Sequence, residues 1–477
     1  MQRMFVLSLV VVVTTLAVAA GAEEQELPFR VQRLTDRVLV LTEISPWESN
    51  HVVIDSAGGL VLVDPGHTAL MGRLIRQAVA RELGRDRFAY VIDTHGHWGH
   101  TWGAAAFPEA VVIGHEQTVS EMQADIVNLE RRHEFIRGQL TQAETRLAEL
   151  DPADPEFGAA QMQRDHLDRI LNGLGEPGFE VRFPQLTFSD RLTLNLGDLS
   201  LEMHYLGGGH SQSDIAVVIP EEQVLLMGCF FLEQGPLPFF GNQRQLDPER
   251  WMQVFTDLLD DSEIEFVVLG QHTVWPRAKL AAIRDYMVWL WSEVQRLDAE
   301  GVDFETALMQ LPIPDELDFV RQAGATNEDL ARFQRFEMTA LWRQLKDSAS
   351  AMLAQSIDES GVEAGVAQYR ELAALGSADV YFDENEFNLL GYRYLGEQQV
   401  EAAIAVFEIN VERFPDSWNV YDSLGEACAA NGDTERAIQL YRRSVELNSD
   451  NGNGVQAIER LEAEAGEGQS QPEPSAS

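Results

Sequence analysis

The chain has 477 residues, too many for one compact core, and sets 35 Lys and Arg against 77 Asp and Glu, a formal net charge of −42. So acidic a surface repels phosphate backbones and anionic lipid heads, which argues against nucleic-acid binding and polybasic membrane docking. With 45% hydrophobic and 23% charged residues the composition is globular, and two cysteines exclude a disulfide scaffold.

The N-terminus reads as a cleavable export signal over residues 1–22. Arg3 precedes an apolar run from Phe5 to Ala20, and Ala20-Gly21-Ala22 offers a small-x-small cleavage site before Glu23. The run is shorter than the ~20 apolar residues that usually span a bilayer. No later segment is long and apolar enough to span a bilayer, so the mature protein is expected to be soluble, in the periplasm or secreted.

Short β-like runs follow at Val38 to Thr42, His51 to Ile54 and Leu60 to Val63, with Gly58-Gly59 as a hairpin turn between the last two. Ala69 to Leu83 has helical spacing and leads to the apolar run Phe88 to Ile92. Residues 116–171 form a helical insertion, two Leu- and Glu-rich stretches broken at Asp151-Pro152-Ala153-Asp154-Pro155. Strands are predicted again at Leu192 to Leu196, Leu199 to Tyr205, Ile215 to Ile219, Val224 to Met227 and Phe266 to Leu269. This mixture predicts a layered α/β domain over 27–290.

Beyond Trp275 the pattern is helical almost throughout, and 291–383 reads as a helical linker region. A period of 34 residues appears over 386–450: Leu390 aligns with Leu424, Gly391 with Gly425, Ala403 with Ala437 and Phe407 with Tyr441. The spacing resembles tetratricopeptide repeats, assigned to 384–465, with Val455 to Ala463 as a closing helix. Such repeats either present a surface to a protein partner or buttress the domain before them. The Ser-, Pro- and Glu-rich tail 466–477 reads as disordered.

The chemistry gathers where apolar runs end. Tyr90 to Thr94 runs into His95-Gly96-His97-Trp98-Gly99-His100, and three histidines within six residues are hard to explain as packing. Imidazole nitrogen is a common zinc ligand, and alternate residues such as His95 and His97 converge in an extended loop. Leu199 to Leu206 ends in Gly207-Gly208-Gly209-His210, Val224 to Met227 in Gly228-Cys229, and Phe266 to Leu269 in Gly270-Gln271-His272. Open α/β sheets place their sites at such strand ends. His51, His67, His115, His133, His166 and His204 stand outside these motifs and read as surface or hydrogen-bonded positions. Trp98 and Trp102 read equally as cleft wall or core. Cys428, at an Ala-rich repeat position, reads as a small buried apolar residue.

These residues together resemble the metallo-β-lactamase fold superfamily, whose members carry H-x-H-x-D-H, a later glycine-preceded His, an Asp or Cys after Gly, and G-H. Leu62-Val63-Asp64-Pro65-Gly66 and Gly209-His210-Ser211-Gln212-Ser213-Asp214 are similar to two further family elements, so the resemblance spans about 30–290. It implies an αββα sandwich carrying the insertion, followed by the all-α repeat region, and one or two zinc ions. His95, His97 and His210 match the family's first metal position. His100, Cys229 and His272 would serve a second, although gapless alignment sets Gln271 on the family histidine and leaves Gln271 and His272 as alternatives.

Gly99 stands where the family has Asp, so a carboxylate that orients the nucleophile is lacking; Asp93 is a possible supporting residue. The implied reaction is hydrolysis of a small-molecule ester, thioester, lactone or lactam by water activated on the metal. Leu232, three after Cys229, replaces the Lys of cysteine-bearing β-lactamases, which argues against β-lactams as the main substrate. The competing expectation is a catalytically weak or inactive envelope protein that binds or adapts through its repeats.

Overall fold

The computed structural model describes residues 27–231, 246–261, 263–311, 326–374 and 380–468. The export signal, Leu232 and the end of the tail lie outside the described residues, although the final helix, Gly452–Gly468, enters the tail expected from 466.

Two sheets face each other. The first runs in sequence order through β1 (Phe29–Arg33), β2 (Val38–Glu43), β3 (Asn50–Ser56), β4 (Gly59–Val63), β5 (Phe88–Ile92), β6 (Val111–His115) and β7 (Leu186–Phe188). Its first four strands are an antiparallel meander and the rest join in parallel. The second runs β13 (Val274–Pro276), β12 (Phe266–Val268), β11 (Val224–Leu226), β10 (Ile215–Ile219), β9 (Ser200–Tyr205), β8 (Arg191–Asn195), with only β11 and β12 parallel.

The strands read as unbroken apolar runs because both faces of each sheet are covered. Val38, Val40, Val61 and Val63 point inward against Met203, Ile215, Val217 and Leu226, while Leu39, Leu41, Leu60 and Leu62 point outward against Met71, Ile75 and Val79 of α1 (Ala69–Leu83). Each fully buried side chain of this kind stabilises the fold by about 1.5–3 kcal/mol relative to exposure. Thr68 caps α1 by accepting a hydrogen bond from Met71 N, and Gly84 ends it in the left-handed region. The outer face of the second sheet packs on Trp251 and Phe255, within Pro248–Asp261, and on Ile283, Met287 and Leu290, within Arg277–Ala299. The result is the metallo-β-lactamase-type αββα sandwich that the resemblance implied.

The insertion folds as helices Thr118–Val127, Leu129–Glu149 and Phe157–Leu174, the last two paired as a hairpin. The division expected at 290 falls inside the helix Arg277–Ala299. Phe304, Met338, Leu341 and Trp342 share one core with Phe230 and Trp251, so the region read as a linker is packed onto the sandwich. Beyond it, helices Glu384–Gly396 and Val400–Arg413 recur 34 residues later as Trp418–Ala430 and Thr434–Leu447. Their shared core includes Phe407, Tyr441 and the buried Cys428. Among the described residues, no helix is long and apolar enough to cross a membrane.

Candidate metal centre

Four strand tips meet at one end of the sandwich. After β5, Thr94 donates to the Asp64 carboxylate twice, from its backbone N–H at 2.9 Å and from its hydroxyl at 2.8 Å. The Thr94 Oγ1 is also 3.1 Å from His95 Nδ1, which leaves His95 Nε2 buried without a hydrogen-bond partner among the described residues. Across the cleft, positive φ angles at Gly207 and Gly208, which glycine adopts without strain, turn the chain after β9. This brings His210 Nε2 to 2.9 Å from His97 Nδ1. The His95 ring centroid is 4.9 Å from that of His97, 5.2 Å from His210 and 4.7 Å from His100.

Cys229, after β11, completes the cluster. Its Sγ lies 3.1 Å from His100 Nε2, and donor atoms of Cys229, His95 and His210 all lie within 4.8 Å of one another. His100 Nδ1 is 3.5 Å from the Asp64 carboxylate, so Asp64 reaches both His95, through Thr94, and His100. Gly270 supplies room: a Cβ there would stand 2.7 Å from the Cys229 sulfur.

The donor set fits zinc. Two nitrogen ligands on a tetrahedral zinc with bonds of ~2.0–2.1 Å sit about 3.3 Å apart, and a nitrogen and a thiolate about 3.6 Å apart. The observed 2.9 Å and 3.1 Å separations need only a few tenths of an ångström of expansion. Burial pushes the His210 imidazole down to about 3, helped by neighbouring His97 and His100, and burial likewise holds His95 and His97 below their ordinary value. These rings are therefore neutral, the form that ligates metal. His100 differs: burial opposes its charge, but the Cys229 sulfur and Asp64 outweigh that and raise its pKa well above the usual range.

The remaining expected residues take other positions. His272 Nδ1 is 3.0 Å from the Glu48 carboxylate, and its Nε2 is buried without a hydrogen-bond partner among the described residues. Its backbone adopts φ 62°, while Gln271 bridges to Ser49 in an extended pairing. Neither belongs to the group of mutually close donors formed by His95, His210 and Cys229. Asp93 is fully buried, neither carboxyl oxygen has a hydrogen-bond partner among the described residues, and burial, with the Asp64 charge adding, raises its pKa well above the usual value. Trp102 is core, whereas Trp98 is half-buried and faces the Trp47 ring at 6.5 Å.

Two acidic residues that the sequence reading passed over hold the loops in place. Glu121, in the insertion helix Thr118–Val127, accepts from Gly96 N at 3.1 Å, from Gln212 N at 2.7 Å and from the Ser213 hydroxyl. It thereby ties the loop of His95 and His97 to the loop of His210. Asp125, one turn on, accepts from Trp98 N at 3.0 Å. Their spacing of four on a helix is the one signal the sequence carried, and it is equally that of a solvated face. The outlying histidines are mostly buried and engaged. His51 Nδ1 lies 2.6 Å from the Asp64 carbonyl, His115 Nε2 lies 3.1 Å from that of Ser189, and His67 and His166 gather around Glu43.

Residues 44–272 match the family model of the metallo-beta-lactamase superfamily. A stretch of 99 residues is 37% identical to the metallo-beta-lactamase type 2 of Bacteroides fragilis; it covers 20% of this chain and 39% of that relative. Among solved structures, the metallo-beta-lactamase from Pontibacter korlensis aligns over 54% of this chain and 99% of its own, at 17% identity and TM-score 0.37. The stereoselective inverting sec-alkylsulfatase Pisa1 from Pseudomonas sp. aligns over 90% of this chain and 65% of its own, at 13% identity and TM-score 0.47.

Proposed function

We propose that the chain is an exported zinc-dependent hydrolase acting on the carbonyl of a small-molecule ester, thioester, lactone or lactam. The observation that carries this reading is the convergence of His95, His97, His210 and Cys229 from three separate strand tips, with the His97 and His210 nitrogens 2.9 Å apart. Zinc held there supplies a Lewis acid and, near neutral pH, a nucleophile made from water. His95, His97 and His210 would hold the first ion. His100 and Cys229 would hold a second, with His272, whose ring Glu48 steadies, as the proposed third donor.

The protein's own contribution is orientation. Asp64 fixes Thr94 and through it the His95 ring, and Glu121 keeps the two histidine loops in register. With Gly99 in place of a carboxylate, no side chain at that position directs the attacking water, so turnover depends on the second ion or on a substrate group. The curated relative's name points to β-lactams, but Leu232 replaces the Lys that would hold their carboxylate, which supports another carbonyl substrate. The 34-residue helical hairpins are tetratricopeptide-like repeats that offer a surface to a protein partner. The first 22 residues direct export to the periplasm or beyond.

The test is metal analysis of the purified chain together with turnover of activated esters, thioesters, lactones and lactams before and after His97→Ala. Absence of zinc, or unchanged turnover in the variant, would overturn the proposal. Gly99 favours a second reading, a zinc-holding adaptor without catalysis, and full zinc content with no turnover across the panel would select it.

A further inference from the structure

The geometry points to another cation site, apart from the histidine–cysteine cluster and built from Glu43, His67 and His166. Glu43 ends β2, His67 follows the turn after β4, and His166 lies midway along the insertion helix Phe157–Leu174. All three are at least 97% buried, and one donor atom from each lies within 4.8 Å of the other two. His166 Nδ1 is 3.0 Å from Glu43 Oε1, and His67 Nε2 is 3.9 Å from the same oxygen. Ligands of a tetrahedral zinc with these atom types sit about 3.3–3.5 Å apart, a spacing the two distances straddle.

A second observation is independent of that spacing. Among the described residues, Glu43 Oε2 and His67 Nε2 are buried with no hydrogen-bond partner. Buried polar atoms are rarely left so, and two in one small cluster call for a common partner. A cation between the side chains can engage the carboxylate and both rings at once. Thr68 Oγ1, 3.3 Å from His67 Nδ1, leaves His67 Nε2 as the ligating atom.

The chemistry selects the ion. Arg169 Nε lies 3.4 Å from Glu43 Oε1 and partly offsets that charge, while its guanidinium leaves Oε2 unengaged. Two imidazoles and one partly neutralised carboxylate disfavour calcium and magnesium, which need several oxygens, and suit zinc. The role is structural: the ion would pin the insertion helix to the β2 and β4 tips. The β4 tip in turn bonds to the histidine loop, where Gly66 N donates to His100 O at 3.1 Å.

The test uses the full chain, stripped with chelator, reloaded with zinc and desalted before metal counting. The unmodified chain should hold one more equivalent than a His67→Asn/His166→Asn variant. A His97→Ala/Cys229→Ser variant should keep that equivalent while losing its own, which separates this site from the proposed catalytic one. Equal counts in the unmodified chain and the His67/His166 variant would overturn the inference. Should that variant not fold, zinc-edge anomalous scattering from crystals of the zinc-loaded unmodified chain decides. A peak among the three side chains supports the site, and none there overturns it in favour of an ion-free Glu–His hydrogen-bonded cluster.

Discussion

His97 Nδ1 and His210 Nε2, 113 residues apart in the chain, face each other at 2.9 Å with their rings nearly perpendicular. Packing alone does not require this, because each nitrogen would find water if the loop opened. His97→Ala or His210→Ala should therefore lower zinc affinity and hydrolysis by more than the roughly 10–100-fold typical of residues that merely support a metal ligand. Chelator competition and turnover of the best substrate in the panel check this, with circular dichroism confirming the fold.

Acidification should remove the two ions of the proposed catalytic centre in order. His100 has a raised pKa, so without metal it carries a proton that an ion at His100 and Cys229 must expel. Falling pH favours that proton, and this position empties first. His210, held down to about 3, stays neutral through mild acid and does not resist its ion. Dialysis in steps from about pH 8 to about pH 5, with metal counted at each, should give two phases. Loss of both ions together would contradict the assignment.

Gly99→Asp should be tolerated and should tighten the second ion. A Cβ at 99 meets nothing within 4 Å, and the residue sits in the helical turn Trp98–Thr101. The folded state should change by no more than about 0.5 kcal/mol in a thermal melt. Tighter zinc retention against chelator, and faster turnover, are the expected gains.

Glu121→Ala should loosen the centre without touching a ligand. It strips the acceptor from Gly96 N and Gln212 N, a cost of about 1–3 kcal/mol for groups left unpaired, and should weaken zinc binding about 10–100-fold. Glu121→Gln keeps one acceptor oxygen and should fall between. Denaturant melts and zinc titration separate the two effects.

The aligned glycines of the repeats should differ. A Cβ at Gly391 would run into the Phe407 ring, so Gly391→Ala should destabilise the chain by about 1–3 kcal/mol. At Gly425 the nearest Tyr441 ring atom would be 3.3 Å away, and the helix-propensity gain of about 1 kcal/mol should leave Gly425→Ala near neutral. Thermal melts of both variants, with Phe407→Leu added to the first as rescue, test the pair.

Strands, helices and the repeat period were legible in the sequence because they are local: α1 and β5 begin and end where the apolar pattern does, and matching helices recur at a spacing of 34. The histidines of the 95–100 run were legible for the same reason, since they lie within six residues, His97 extended and His100 in the helical turn Trp98–Thr101 that follows. Tertiary structure alone decided what joins distant segments. The grip of Glu121 on two loops, the cluster around Glu43, and the backbone that sets His272 against Glu48 depend on which surfaces the sheets bring together. A carboxylate on a helix or a histidine after a turn looks alike in sequence whether it meets water or another strand tip, because burial and partnership are properties of the packed chain.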